Sequence, residues 1–353
     1  MLYPLTFKPI FKERVWGGRN IERLYDKPLP PEVPIGESWE ITDRPEGVSV
    51  VANGPLAGRD LRWLMENRAA ELLGAACPQN GRFPLLVKIL DAQQKLSVQV
   101  HPPAGVAEEL GGEPKSEMWH VAHAAPDADI YVGLKKGVTR DEFEEGILEG
   151  SVAARLHRIP TAGGDSIYLP SGRLHAIGAG NVIFEIQQNS DTTYRVFDWN
   201  RVGLDGQPRQ LHVDQAMKSI DFDDFEPSLS DEVPQRGPLF SSTLLTSNEH
   251  FEVERIECVK DGRIPCESDR MWIIAVLEKQ VRIVAESAPA PLTPGQFAII
   301  PASLESFELE ADRGAAFLQV NLGDDPPAEE LKRELDAAFH PAENEIAEDP
   351  IGC

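Results

Sequence analysis

The chain has 353 residues, 41% of them hydrophobic, and 58 acidic against 34 basic side chains give a formal net charge of −24 at pH 7. That excess repels a phosphate backbone and argues against nucleic acid as a partner, while it favours a solvated surface. No apolar run approaches the roughly 20 residues that a membrane-spanning helix needs, so no membrane association is expected.

The length exceeds what one hydrophobic core supports and predicts two domains. The opening MLYPLTFKPIFKER carries Lys8, Lys12, Glu13 and Arg14 among its apolar residues and lacks a signal-peptide core, so a cytoplasmic protein is expected. Cys77, Cys258, Cys266 and Cys353 have no CxxC spacing, which argues against a zinc ribbon, a redox pair or a disulfide framework. The net charge also disfavours a phosphorylated substrate at long range. Any phosphate must therefore meet a local basic pocket.

In chain order the predicted elements are a helix over 60–74, strands over 83–90, 95–101 and 116–123, and a helical stretch over 139–159. Strands follow at 165–170, 181–188 and 192–199, then a helix at 212–220. Short strands with turn signals, without β-α alternation, predict an antiparallel jelly roll with a few accessory helices. From 221 to 237 the sequence is acidic, contains proline and lacks periodicity, which reads as a linker. A second β-rich block has strands over 251–259, 270–278, 280–287, 295–302 and 315–322, then a helix over 327–339 and a polar tail. The expected division is 1–222 for an N-terminal catalytic domain, 223–237 for the linker, 238–325 for a C-terminal domain and 326–353 for the terminal helix and tail.

Alternation along KLSVQVHPP sends Leu96, Val98 and Val100 to one face and Ser97, Gln99 and His101 to the other. In PKSEMWHV, Glu117 shares a face with Trp119, while Met118 and His120 point away, so Glu117 is the expected ligand and His120 a structural residue. GDSIYLPSGRLHAIG matches the second cupin motif, G-x5-P-x-G-x2-H, ending on His175. There a strand feeds a tight turn that returns a histidine toward the barrel mouth. Gln99, His101, Glu117 and His175 offer one amide oxygen, two imidazoles and a carboxylate. Such a set suits zinc, iron or manganese. The second block repeats the glycine, strand and proline order in GQFAIIPA without a histidine, so it reads as a degenerate cupin that binds no metal.

A glutamine in place of the first histidine of the HxH pattern, with the glutamate sixteen positions on, resembles the class I mannose-6-phosphate isomerases, in their short bacterial form. KPIFKERVWGG, GESWEI, FPLLVKILDAQQKLSVQVHPP, KSEMWHV, LPSGRLHAIG and QQNSDTTYRVFDW extend the resemblance over most of residues 1–200. It implies one Zn2+ per chain on Gln99, His101, Glu117 and His175, with active-site roles for Arg195 and Lys115. The implied reaction interconverts mannose 6-phosphate and fructose 6-phosphate through a cis-enediol. Arg195, expected on one face with Thr193 and Phe197, would stabilise the enediolate. Lys115 would bind phosphate or transfer a proton, and Ser97 would donate a hydrogen bond to phosphate. Trp16 and Glu37 lie in shared stretches and are carried as substrate-binding candidates. The general base stays open between Lys115, a histidine and a water on the metal. Competing readings are an iron-dependent cupin oxygenase on His101, Glu117 and His175, a non-catalytic sugar-phosphate-binding cupin, and an isomerase for another sugar phosphate. A monomer or weak homodimer is expected.

Overall fold

A computed structural model describes residues 2–76, 81–231, 233–285 and 290–323. The predicted helix over 327–339, the tail, Cys77 and Cys353 lie outside them.

Strands dominate, and every ladder among the described residues is antiparallel. A six-stranded sheet runs in the order Ser166–Leu169, Glu117–Ala124, Asn181–Gln188, Leu85–Ala92, Ile35–Ile41, Ile10–Gly18. Facing it is a five-stranded sheet ordered Leu156–Pro160, Asp129–Leu134, His175–Ile177, Val98–Val100, Tyr194–Phe197. Leu90, Trp119, Val121 and Ile183 from the first sheet meet Ile130, Val132 and Ile177 from the second in one apolar interior. This is the jelly roll that the sequence predicts.

The six-stranded sheet is covered on both faces. Leu85, Val87, Ile89, Phe184 and Ile186 turn away from the jelly-roll interior, onto Phe251, Ile273, Phe297, Ile299 and Val320 of the second half. Double coverage explains why 83–90 and 181–188 read as apolar runs with little alternation. The helix Leu61–Leu73 joins this core. It starts on Asp60, whose carboxylate accepts from Trp63 N at 2.7 Å. Its last carbonyls accept from the second half, Glu71 O from Ser303 N and Leu72 O from Ala302 N.

In the second half an eight-stranded sheet packs on a four-stranded one around Ile256, Ile274, Val276, Phe307, Leu309 and Phe317. The strand Phe297–Ile300 is preceded by Gly295 at φ 76 and followed by Pro301, as Ser166–Leu169 is preceded by Gly164 at φ 101 and followed by Pro170. The repeated turn chemistry is thus a repeated backbone. The first strand of the chain, Leu5–Lys8, pairs with Phe297–Ile300, Leu5 opposite Ile299.

The structure corrects several expectations. The helical stretch over 139–159 is a helix only at Arg140–Glu149, capped by Thr139 and Glu142 and stopped by Gly150 at φ 71; after a short 3-10 turn the chain enters the strand Leu156–Pro160. The strand predicted over 95–101 is regular only at Val98–Val100, although Leu96 N still donates to Ile177 O at 2.8 Å. Leu96 therefore leaves the face of Val98 and Val100 and packs in the jelly-roll interior. A β-bulge between Arg195 and Phe197 breaks the alternation there, so Phe197 joins Tyr194 and Val196 in the outer core and does not share Arg195's face. Strands at Ile10–Gly18, Ile35–Ile41, Asp129–Leu134 and His175–Ile177 also stood outside the predicted set.

Candidate metal centre

Three strands of the jelly roll bring the candidate ligands together. Gln99 and His175 are direct partners across Val98–Val100 and His175–Ile177, and Arg195 stands opposite Gln99 on the other side. Glu117 opens its strand opposite Leu169, at the start of the turn that delivers His175. Gly172 takes φ 96 in that turn, and its N–H donates to the carbonyl of His101 at 2.9 Å. One turn thereby fixes two histidines from different parts of the chain.

His101, Glu117 and His175 are buried, and their ligand atoms lie within 4.8 Å of one another. The imidazole Nδ1 atoms both face backbone carbonyls, that of His101 at 2.7 Å from Thr192 O and that of His175 at 2.9 Å from Arg173 O. A neutral imidazole that donates from Nδ1 keeps its lone pair on Nε2. Those Nε2 atoms stand 3.4 Å and 3.3 Å from the two oxygens of Glu117. Burial, then the Lys115 ammonium, push His101 down to about 3, and burial lowers His175 as well. Burial opposes ionisation of Glu117, but the Lys115 ammonium holds its carboxyl well below the usual range. The set is therefore two neutral imidazoles around a carboxylate.

Neither buried oxygen of Glu117 accepts a well-directed hydrogen bond, although Lys115 Nζ is 2.8 Å from Oε2. Unpaired buried carboxylate oxygens are costly. Two imidazole lone pairs aimed at them make the arrangement fit a cation. Gln99 lies beside it, with its amide nitrogen 3.2 Å from His175 Nε2. Rotating that amide by half a turn presents its oxygen instead, which is the orientation a cation requires. His120, by contrast, bonds Ser166 Oγ at 2.9 Å on another face, as expected for a structural histidine.

Of the candidate ligands, Gln99 lines a cavity of 310 Å3, together with Lys115 and, further along, Trp16, Glu37, Ser97, Thr193 and Arg195. All the candidate substrate-binding residues therefore face one space. Ser97 and Trp16 are buried in its wall. Glu37 accepts from Arg14 Nε at 2.8 Å and from Trp39 Nε1 at 2.7 Å. Burial raises its pKa, but Lys88 and Arg14 overcome that and bring it down to about 2.

The cavity also contains Arg14, Lys88, Glu185, Asp191 and Arg209, which sequence reasoning did not single out. Lys88 and Glu185 each interrupt an apolar strand run, and that interruption is a signal the sequence does carry. Arg209 lies in a loop without periodicity and left no such signal. Five basic side chains against three acidic ones make the lining locally positive in a strongly acidic chain.

Comparison with known proteins gives a consistent picture. A family profile described as "Phosphomannose isomerase type I, catalytic domain" matches residues 5–111. The probable mannose-6-phosphate isomerase GmuF of Bacillus subtilis is 36% identical over 313 residues, covering 88% of this chain and 97% of that protein. The mannose-6-phosphate isomerase of Streptococcus mutans is 34% identical over 88% of this chain and 96% of its own length. Among solved structures, the mannose 6-phosphate isomerase of Bacillus subtilis superposes with a TM-score of 0.82 at 31% identity, covering 90% of this chain and 99% of that one.

Proposed function

The chain belongs to the type I mannose-6-phosphate isomerase family, and from that premise we propose that it interconverts mannose 6-phosphate and fructose 6-phosphate at a zinc ion held by Gln99, His101, Glu117 and His175. The observation that carries this reading is the convergence of two imidazole Nε2 atoms on the buried Glu117 carboxylate, beside a basic cavity that Gln99 and Lys115 line. Two imidazoles favour a borderline ion such as zinc over magnesium or calcium.

Aldose–ketose isomerisation moves a proton between C2 and C1 through a cis-enediol. A divalent ion bound here supplies Lewis acidity to polarise the sugar carbonyl. The chain's own residues supply positive charge, substrate positioning and proton transfer at the sugar oxygens. Arg195, always protonated, stands opposite Gln99 and offsets the charge that develops on the enediolate. Lys115 holds a proton at Nζ, 2.8 Å from Glu117, and is the group we assign to pass it to and from the substrate oxygens. Ser97 is assigned to donate a hydrogen bond to the substrate. The Trp16 ring and the Glu37 carboxylate, fixed by Arg14 and Trp39, shape the wall against which the sugar lies.

The test is a coupled assay of fructose 6-phosphate formation before and after chelation. Activity lost with the metal and restored by zinc supports the assignment. Zinc-loaded protein without turnover would sink it. Recovery with ferrous iron and oxygen consumption, but not with zinc, would instead favour an oxygenase.

A further inference from the structure

The basic side chains of the cavity are held in different ways. Lys115 faces Glu117, Lys88 pairs with Glu185 at 3.0 Å and Arg14 is held by Glu37, each on a carboxylate at the site. Arg209 is held by Asp198, a carboxylate outside the cavity lining. Arg209 enters the cavity from the loop that leads from the strand Tyr194–Phe197 to the helix Val213–Ser219.

That loop packs two arginines around one carboxylate. Asp198 Oδ1 accepts from Arg201 Nε at 3.0 Å and Nη2 at 2.8 Å, and Asp198 Oδ2 accepts from Arg209 Nε at 2.7 Å. Arg209 Nη2 also reaches Oδ1. Arg201 turns its remaining nitrogen to the carbonyl of Lys95, and Trp199 Nε1 donates to Leu96 O at 2.6 Å, so the base of the loop is tied down beside Ser97. Arg209 has no further hydrogen bond among the described residues. Its bond to Asp198 uses one edge of the guanidinium and leaves the Nη1/Nη2 edge open, and that fork matches the spacing of phosphate oxygens. The neighbouring Arg195 donates Nη1 to Gln210 O at 2.8 Å, but its buried Nε has no acceptor. Burial, then Arg209, lower its pKa, as expected where cations outnumber counter-ions.

We propose that Arg209, held in position by Asp198, is the residue through which this site selects a sugar bearing a phosphate monoester over the free sugar. Arg209 is the specificity residue and Asp198 a positioning residue. The proposal rests on the isomerase reading, because it assumes that the sugar's reacting carbons lie toward Gln99 and Arg195.

The experiment uses the metal-loaded full chain. In Arg209→Gln, KM for mannose 6-phosphate is expected to rise about 10- to 100-fold while kcat changes much less, as for loss of one charge-assisted contact. Inhibition by inorganic phosphate should weaken by a similar factor, with bound metal at the wild-type level. Asp198→Asn should move KM in the same direction, and Asp198→Glu should recover part of it. If Arg209→Gln does not fold, Arg209→Lys, which keeps the charge and loses the fork, should give an intermediate KM. An unchanged KM, a loss confined to kcat, or equal inhibition of both proteins by phosphate would overturn the proposal. Should wild-type protein turn over no sugar phosphate, the isomerase reading fails by itself. Calorimetric binding of inorganic phosphate to wild type and to Arg209→Gln then still decides the role of Arg209.

Discussion

Lys88 and Glu185 face each other directly across neighbouring strands, with Nζ 3.0 Å from Oε2 and both side chains about 5% exposed. Burial works against the ammonium, but Glu185 and Glu37 hold its pKa above the ordinary lysine value. Glu185 also accepts from Trp119 Nε1 at 3.0 Å, so the pair is tied into the cavity wall. Removing one member leaves the other buried without its direct counter-ion. Lys88→Met and Glu185→Gln are each expected to destabilise by about 3 kcal/mol. In the double variant the loss should fall short of the sum by more than about 1 kcal/mol. Urea unfolding of the four proteins measures this, and strict additivity would show that the pair is not coupled.

Metal retention tests the ligand set separately from turnover. His175→Ala and Glu117→Gln remove donors that nothing else among the described residues is positioned to replace. Each should lower bound metal, measured by elemental analysis after dialysis, and reduce turnover by about 1000-fold or more. His120→Ala should retain metal, because His120 bonds Ser166 on another face. Metal lost equally in all three variants would point to unfolding.

The candidate metal centre was legible in the sequence because its parts are local patterns. Strand alternation placed Ser97, Gln99 and His101, and a spaced glycine, proline and histidine marked the turn to His175. Elements whose pairing is non-local were harder to read. The strand His175–Ile177 has three residues, and Ile35–Ile41 is buried throughout, so neither displays a period. Arg195's face was predicted by alternation, and the bulge at Val196 then removed Phe197 from it. The cavity's basic character came from residues as far apart as Arg14 and Arg209, which only the folded chain brings together.

Acid should act through Glu37. Its carboxyl titrates near 4.5 when exposed and at about 2 in the fold, so ionised Glu37 favours the folded state. The folded pKa is the lower one. This contribution is therefore complete above pH 4.5 and is lost as pH falls from 4.5 toward 2. Its ceiling is about 3 kcal/mol at about 1.4 kcal/mol per pKa unit. Glu37→Gln should be less stable than wild type at pH 6, with the gap narrowing as pH falls from 4.5 toward 2, as followed by denaturant midpoints. A gap independent of pH would assign the loss to packing.

The first strand couples the two halves of the molecule. Leu5 is fully buried opposite Ile299, and Phe7 on the same strand pairs with Val51, so Leu5–Lys8 inserts between Phe297–Ile300 and Val50–Val51. The eight-stranded sheet of the second half is thus completed by the start of the chain. Leu5→Ala removes a fully buried side chain and should cost about 2–5 kcal/mol. Because Leu5 packs in the core shared by both halves, the loss should appear in both. Fluorescence of Trp119, in the jelly-roll interior, and of Trp272, on the second sandwich, reports each half when the other tryptophans are replaced by phenylalanine. Coincident shifts of both unfolding curves are expected. A shift confined to Trp272 would mean that the strand serves only the second half and that the halves unfold independently.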